Sequence, residues 1–139
     1  MDPLFEIKRK WGVAGYPGAW PMGKAEDFKI YFPISGEHTI KAYFTGNLVI
    51  HKNVRCTMAE LKTWIMVGLS GWAVSHRWTG MRLNTNLVLK TRIEAWKWAC
   101  YLDWFGGQSW NIGRGEVVGA DLMNRVRLEI DRVVRELKK

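Results

Sequence analysis

The chain has 139 residues, of which 47% are hydrophobic, 13% aromatic and 24% charged. This composition is typical of a folded domain and excludes a disordered or low-complexity chain. Lysine and arginine number 21 against 13 acidic residues, so the net charge is +8, which favours polyanionic partners but says nothing about the fold.

The sequence gives no sign of export, membrane insertion or cofactor binding. The basic triplet at residues 8–10 is not followed by an apolar stretch of the kind found in signal peptides, and no run of about 18 apolar residues is present. Cys56 and Cys100 lack the spacing of metal ligands, and we expect both to be free thiols. We therefore expect a cytoplasmic protein with no cofactor, no metal and no membrane partner.

Residues 4–10 are expected to form a short strand or extended arm that ends in the basic triplet. The next stretch, 11–23, is rich in glycine and proline, which interrupt regular structure. It carries the aromatic residues Trp11, Tyr16 and Trp20. We expect an ordered loop here if these rings are anchored on the rest of the protein.

Residues 27–51 contain the clearest strand pattern. Phe28 and Ile30 alternate with Lys29 and Tyr31, and the same period of two continues to His51. Turn-forming residues at 35–38 and 45–47 are expected to close two hairpins.

Three helices are predicted after the strands. The first, over about 57–77, is predicted from a capping box at Thr57 to Glu60 and from apolar residues at helical spacing. The second covers about 87–105 and ends at Gly106-Gly107, and the third covers about 120–137. Helical spacing also indicates a core position for four tryptophans: Trp64, Trp72, Trp96 and Trp104.

These elements predict an α+β fold, in which a small antiparallel sheet of about four strands packs with helices and an extended amphipathic helix follows. We expect residues 1–119 to form a nucleic-acid-binding domain and residues 120–139 a dimerisation helix. The last helix has apolar residues spaced by three and four, as in a coiled-coil seam. Such a seam either pairs two chains or lies on the chain's own core, and both alternatives stay open. The seam consists of Met123, Val126, Ile130, Val133 and Leu137.

Three places combine aromatic and basic side chains in a way that suits nucleic acid. The first is the sheet face that we expect to lie opposite the core, with alternating lysine and tyrosine and with His51 as a further candidate. The second is the 8–20 segment. The third is the second apolar face of the helix over 87–105. Bases stack on aromatic rings while lysine and arginine neutralise phosphates. The alternatives are a solvated sheet face, a loop anchored over the core, and a helix buried on both sides.

The candidate nucleic-acid-binding residues are Lys8, Arg9, Lys10, Trp11, Tyr16, Trp20, Lys29, Tyr31, Lys41, Tyr43, Arg55, Trp98, Tyr101 and Phe105. Catalytic motifs are absent from the sequence, since it has no HExxH, GxSxG or phosphate-binding loop and its three histidines are scattered. We therefore expect a binding protein rather than an enzyme.

The order of these segments resembles a known family. A basic aromatic arm at 8–12, a Gly/Pro/aromatic loop, the strand from Glu26 to Phe32 and a C-terminal heptad helix together look like ThermoDBP. This family comprises single-stranded DNA-binding proteins that replace the usual OB-fold protein in some hyperthermophilic archaea. The resemblance implies a non-OB domain, a cleft lined by hydrophobic and basic residues, and a homodimer formed by a C-terminal leucine zipper. Here valine and isoleucine stand where the zipper has leucine.

The function expected from the sequence is sequence-tolerant binding of single-stranded DNA, which would protect exposed strands in replication or repair. RNA remains possible as a ligand, because stacking is indifferent to the sugar. The alternative is a structural or protein-interaction protein, for example a viral assembly subunit, whose aromatics form its core and an interface.

Overall fold

The residues with period-two alternation form the first three strands of one antiparallel sheet. The computed structural model describes residues 18–32, 36–58, 64–83, 87–111 and 119–137. Its strands are β1 (Glu26–Phe32), β2 (Gly36–Thr45), β3 (Leu48–Met58) and β4 (Trp64–His76), in the spatial order β1-β2-β3-β4. Each neighbouring pair is antiparallel. The predicted α+β fold with a four-stranded antiparallel sheet is confirmed.

The helix predicted over 57–77 is wrong, because its described residues belong to strands β3 and β4. These strands pair from Met58 opposite Trp64 to Leu48 opposite His76. The helical spacing of apolar residues is real, but β-branched and aromatic residues favour strands, and Gly68 and Gly71 weaken a helix. Near its end β4 is buried on both faces, so the polar alternation that would have marked it as a strand is missing.

The second predicted helix is present but begins later than expected. Helix α1 covers Arg92–Gly106, and the Thr91 hydroxyl caps it by accepting a hydrogen bond from the backbone N–H of Glu94 at 3.1 Å. The preceding residues run beside β4, where the backbone N–H of Trp72 donates to the carbonyl of Leu89 at 2.8 Å. The predicted stop is confirmed, since Gly107 has a φ of +50° and a 3₁₀-helix (Gly107–Trp110) follows.

Helix α1 lies in the middle of the main hydrophobic core. Trp96 and Trp98, which point to different sides of the helix, are both buried, and so is the free thiol of Cys100. One side of α1 packs with Leu48 and Ile50 of the sheet. A helix that is apolar on two faces is central in a fold, and that alternative holds for α1.

Helix α2 covers Ala120–Leu137, as predicted. Val126, Ile130 and Val133 of its apolar seam are buried in the same core as α1, and Met123 packs partly against it. The structure therefore shows the intramolecular alternative for these residues, while the side chain of Leu137 lies outside the described part. A homodimer through this helix stays an untested prediction.

A hydrogen-bonded contact joins the two helices. The Tyr101 hydroxyl donates to Glu129 at 2.6 Å, and Glu129 also accepts from Arg132 at 2.6 Å. Burial and the neighbouring carboxylate raise the pKa of Tyr101, so its hydroxyl keeps its proton at neutral pH. The two predicted parts of the chain, 1–119 and 120–139, thus share one core.

Neither described helix is long and apolar enough to cross a membrane.

Both faces of the sheet carry apolar residues. Leu48, Ile50 and Val74 face α1, whereas Phe28 and Val49 belong to a second cluster on the opposite face. The lysine and tyrosine face of β2 is therefore the face that α1 packs on. The prediction that it lies opposite the core is wrong. A candidate functional site is expected on the part of this face that lies beyond the residues packed against α1.

Candidate nucleic-acid interface

A groove lies on the α1 side of the sheet, next to the start of the helix. Residues two apart on a strand share a face, and so do residues paired across strands. Tyr43 pairs with Ile50, and Lys52 pairs with Trp72, so that β2, β3 and β4 each contribute a large side chain to the same surface. The groove has a volume of about 280 Å³. It is lined by Ala25, Ile40, Lys41, Tyr43, Lys52, Val54 and Trp72. Ile40 and Val54 of this set also pack against the cluster on the opposite face, so the groove reaches between β2 and β3.

An irregularity in the β3–β4 pairing sets the position of Trp72. Lys52 pairs with Trp72, but Val54 already pairs with Gly68, so residues 69–71 of β4 lie opposite Asn53 alone. Such bulges bend a strand and increase its twist. Gly71 takes a φ of +87°, and a Cβ atom there would lie 2.9 Å from the carbonyl oxygen of Leu89. The bulge thus depends on glycine at this position.

Tyr43 and Trp72 form the aromatic part of the groove. Their ring centroids are 6.3 Å apart and the rings are inclined by 53°. Both side chains are partly buried against the main core, which fixes their orientation while part of each ring faces the groove. The pair is a preformed surface for a flat ring rather than two freely rotating side chains.

Arg92 places a positive charge beside this pair. It is the first residue of α1 and is exposed, because the Thr91 cap starts the helix at the edge of the groove. Its guanidinium carbon lies 5.1 Å from the centroid of the Tyr43 ring, and its Nη1 donates to the Tyr43 hydroxyl at 2.8 Å. Contact with a ring face and a hydrogen bond together hold the guanidinium at the rim of the groove.

Lysines from two strands add to the positive charge. Lys41 and Lys52 line the groove, and Lys29 is exposed on the same sheet face. The carboxylate of Asp27 opposes them, because Asp27 is the register partner of Lys41 and the two form an ion pair at 2.6 Å. Both side chains of the pair are more than two-thirds exposed, so the bond is open to water and to competing anions.

The sheet prediction is correct in part. Lys29, Lys41 and Tyr43 share one face, as the alternation indicated. His51 does not, because it pairs with Ala42 and stacks on Phe28 on the opposite face.

His51 is also only 2% exposed, so it is removed from the candidate site. Its Nδ1 donates to the Lys52 carbonyl at 2.8 Å, which leaves Nε2 to accept from the Ser75 hydroxyl at 2.9 Å. Burial lowers the pKa of His51, with a smaller contribution from the charge of Arg82.

The predicted second face of α1 is not available for stacking in this structure. Trp98 and Tyr101 are buried, and Phe105 is partly buried with its ring stacked on Tyr101 at a centroid distance of 6.5 Å. Trp20 packs partly against the main core, and its carbonyl accepts a hydrogen bond from Nε1 of Trp96 at 2.6 Å. These four residues are part of the main core or pack against it, and none of them lines the groove.

The remaining candidate residues cannot be placed. The basic and aromatic arm (Lys8, Arg9, Lys10, Trp11 and Tyr16) lies outside the described residues. Tyr31 and Arg55 belong to strands β1 and β3, but their side chains lie outside the described part.

Among the charged and aromatic residues of the site, sequence reasoning missed Lys52 and Trp72 in the groove and Arg92 at its rim. Lys52 continues the alternation of β3 two residues after Ile50, and this signal was present in the sequence. Arg92 follows a threonine that could have been recognised as a helix cap. Trp72 was assigned to the core by the wrong helix, and its position depends on the bulge in β4.

Within the described ranges, no group of three or more histidine, cysteine, aspartate or glutamate side chains is placed to hold a metal ion. Comparisons with protein-family models, with curated proteins and with solved structures found no match. The resemblance to the ThermoDBP family therefore stays a prediction from the order of sequence segments.

Proposed function

We propose that this protein binds single-stranded DNA without sequence preference, and that the groove between Tyr43, Trp72 and Arg92 holds the strand. The observation that carries the proposal is the preformed Tyr43–Trp72 pair with cationic side chains on its rim. In cells, such binding would protect exposed strands during replication or repair.

Stacking supplies affinity that does not depend on base identity, because every base has an aromatic face. Each base–aromatic stack contributes about 1–3 kcal/mol in single-strand-binding proteins. Tyr43 and Trp72 are already ordered by packing, so binding costs little side-chain entropy. The resulting site is tolerant of sequence.

The cations around the rings are placed to contact a backbone. Lys41 and Lys52 lie on neighbouring strands, and Arg92 lies on the helix beside them. A strand whose base enters the groove would bring its phosphates to these side chains. RNA offers the same bases and phosphates, so the proposed contacts do not distinguish it from DNA.

The groove favours a single strand over a duplex. Its volume of about 280 Å³ is close to the lower end of small-molecule pockets, about 300–1,000 Å³. A base can enter such a space only if it is not stacked between neighbours in a double helix.

A second candidate function is protein interaction, and two exposed apolar residues favour it. Val88 is 76% exposed and Ile93 is 59% exposed, and both lie close in sequence to Arg92. A protein partner could bury these aliphatic side chains, whereas a phosphate gains nothing from contact with them.

A salt titration of oligothymidine binding separates the two functions. If Lys41, Lys52 and Arg92 each neutralise one phosphate, the logarithm of affinity should fall with the logarithm of salt concentration with a slope of about −2. Lys52→Ala should make the slope shallower by about 0.7.

The matched control is Arg125→Ala, which removes an equal charge from an exposed position on α2 and should leave the slope unchanged. Absence of oligothymidine binding at low salt, or an equal effect of the control variant, would contradict the proposed function.

A further inference from the structure

A second aromatic position lies at the far end of the sheet, outside the groove. Trp78 follows the end of β4 by two residues, and its side chain is 45% exposed. The other aromatic side chains that the structure describes are buried or partly buried. An exposed ring offers a face on which a base can stack.

The indole of Trp78 is held in a fixed orientation. Its Nε1 donates to the Asn47 side-chain oxygen at 3.2 Å. The Arg77 guanidinium carbon lies 4.6 Å from the centroid of the Trp78 ring and 4.8 Å from that of Phe44. The backbone N–H of Arg77 in turn donates to the Asn47 carbonyl at 2.8 Å, which ties the segment to the β2–β3 turn.

The β2–β3 turn is itself anchored to the helix layer. The backbone N–H of Asn47 donates to the Asp103 carboxylate of α1 at 3.1 Å. A Cβ atom on Gly46 would collide with the same carboxylate, so the turn and the helix are in close contact. Trp78 is therefore an exposed ring on a rigid support, and little entropy would be lost when a ligand stacks on it.

We propose that Trp78 is a second base-stacking position for the single strand whose first position is the Tyr43–Trp72 groove. The base stacks on the exposed side of the indole, and the Arg77 guanidinium attracts the phosphate backbone. The charge of Arg77 favours a polyanion over an apolar protein surface. This inference rests on the proposed function and adds to it a bipartite mode of binding.

The two positions are too far apart for one nucleotide to reach both. The residues from Trp72 to His76 alone span about 13 Å of strand at about 3.3 Å per residue, and Trp78 lies beyond them. A short oligonucleotide can fill only one position, whereas a longer one can occupy both. Binding should therefore strengthen with length until the second position is reached.

The test compares two lengths of oligothymidine, about 4 and about 16 nucleotides, which bracket the usual range of site sizes. Trp78→Ala should weaken binding of the long oligonucleotide about 5- to 150-fold, because one stack is lost. Binding of the short oligonucleotide should change less than about twofold, since the groove remains. Lys52→Ala, in contrast, should weaken both lengths.

Trp78→Phe provides a second measurement that keeps a ring at this position. Its affinity for the long oligonucleotide should stay close to that of the wild type, while the oligonucleotide-induced quenching of tryptophan fluorescence becomes smaller. With the short oligonucleotide, quenching should be the same in both proteins.

The outcomes separate this inference from the proposed function. If the wild type binds neither length, the proposed function itself is wrong. If the wild type binds but Trp78→Ala matches it on the long oligonucleotide, or weakens both lengths equally, the second position is wrong and the groove remains. Undiminished quenching in Trp78→Phe would overturn it as well.

Discussion

The side chain of Tyr43 contacts both the aromatic and the cationic neighbour that define the groove and its rim. Its ring contacts Trp72 on one side and the Arg92 guanidinium on another, and its hydroxyl accepts a hydrogen bond from Arg92. A ring in these contacts keeps one orientation, so the groove exists before a ligand arrives. The surface charge beside it is less fixed, because the Lys41–Asp27 pair is exposed.

Asp27 is expected to weaken binding of an anionic strand, because its carboxylate competes with phosphate for Lys41 and repels the backbone. Exposed ion pairs contribute about 0.2–1 kcal/mol, so Asp27→Asn should tighten oligothymidine binding by up to about fivefold. The control is Glu26→Gln, which makes the same change of charge on the next residue, whose side chain lies on the opposite face of β1. The measurement is the binding constant of each variant at low salt. Equal affinities of Asp27→Asn and Glu26→Gln would contradict this role for Asp27.

At the level of single residues, the sequence predicted the members of the groove that follow a simple alternation. Lys41 and Tyr43 belong to β2, which has one partly open face, so period two was enough to place them together. Trp98 and Tyr101, which were predicted to bind nucleic acid, are buried instead. Periodicity shows that a helix has two apolar faces, but which element packs on the second face depends on the tertiary fold.

At the level of elements, the sheet and the C-terminal helix were predictable, and β4 was not. Alternation and turn residues identified β1 and β2, while the seam spacing identified α2. In β4, residues 73–76 are buried on both faces, and a short apolar run of this kind does not distinguish a strand from a helix. Pairing with β3 decides the conformation of this segment, and no local pattern reports that pairing.

The α2 seam gives a prediction about stability. Ile130 is buried against the chain's own core, so Ile130→Ala should lower the free energy of unfolding by about 2–5 kcal/mol. Leu128→Ala is the matched control on the same helix: Leu128 is 60% exposed, and its loss should change stability by less than about 0.5 kcal/mol.

Denaturant unfolding at several protein concentrations measures both variants. A midpoint that is independent of concentration agrees with intramolecular packing. If the effect of Ile130→Ala instead grew on dilution, the seam would join two chains.

At the level of the whole molecule, two buried histidines hold the fold together, one within the sheet and one between the sheet and the segment after α1. His51 bonds to Ser75 between β3 and β4, and His76 donates through Nε2 to the Trp110 carbonyl at 2.8 Å and accepts through Nδ1 from Thr79. Burial lowers the pKa of both histidines below the ordinary value of 6.5. The folded protein therefore holds them in the neutral form.

Stability should decrease on mild acidification for this reason. Above pH 6.5 both histidines are neutral in the folded and the unfolded chain, and their full contribution to stability is present. Below it the unfolded chain takes up protons that the folded chain resists, so stability falls as the pH drops towards the lowered pKa values. Thermal unfolding at about pH 7.5 and about pH 5.5 should show this loss. His51→Gln should reduce the difference between the two temperatures, and a wild-type protein that became more stable at the lower pH would refute the assignment.

Helix α1 lies between the sheet and α2, and this arrangement has a consequence for synthesis. Residues 92–106 leave the ribosome before residues 120–137 do, so α1 is made while Val126, Ile130 and Val133 are still missing from its core. The nascent chain at that stage lacks the partner for the side of α1 that carries Tyr101, because Glu129 belongs to α2. The rim of the groove, which starts at Arg92, is thus expected to become rigid only after the last helix has been translated.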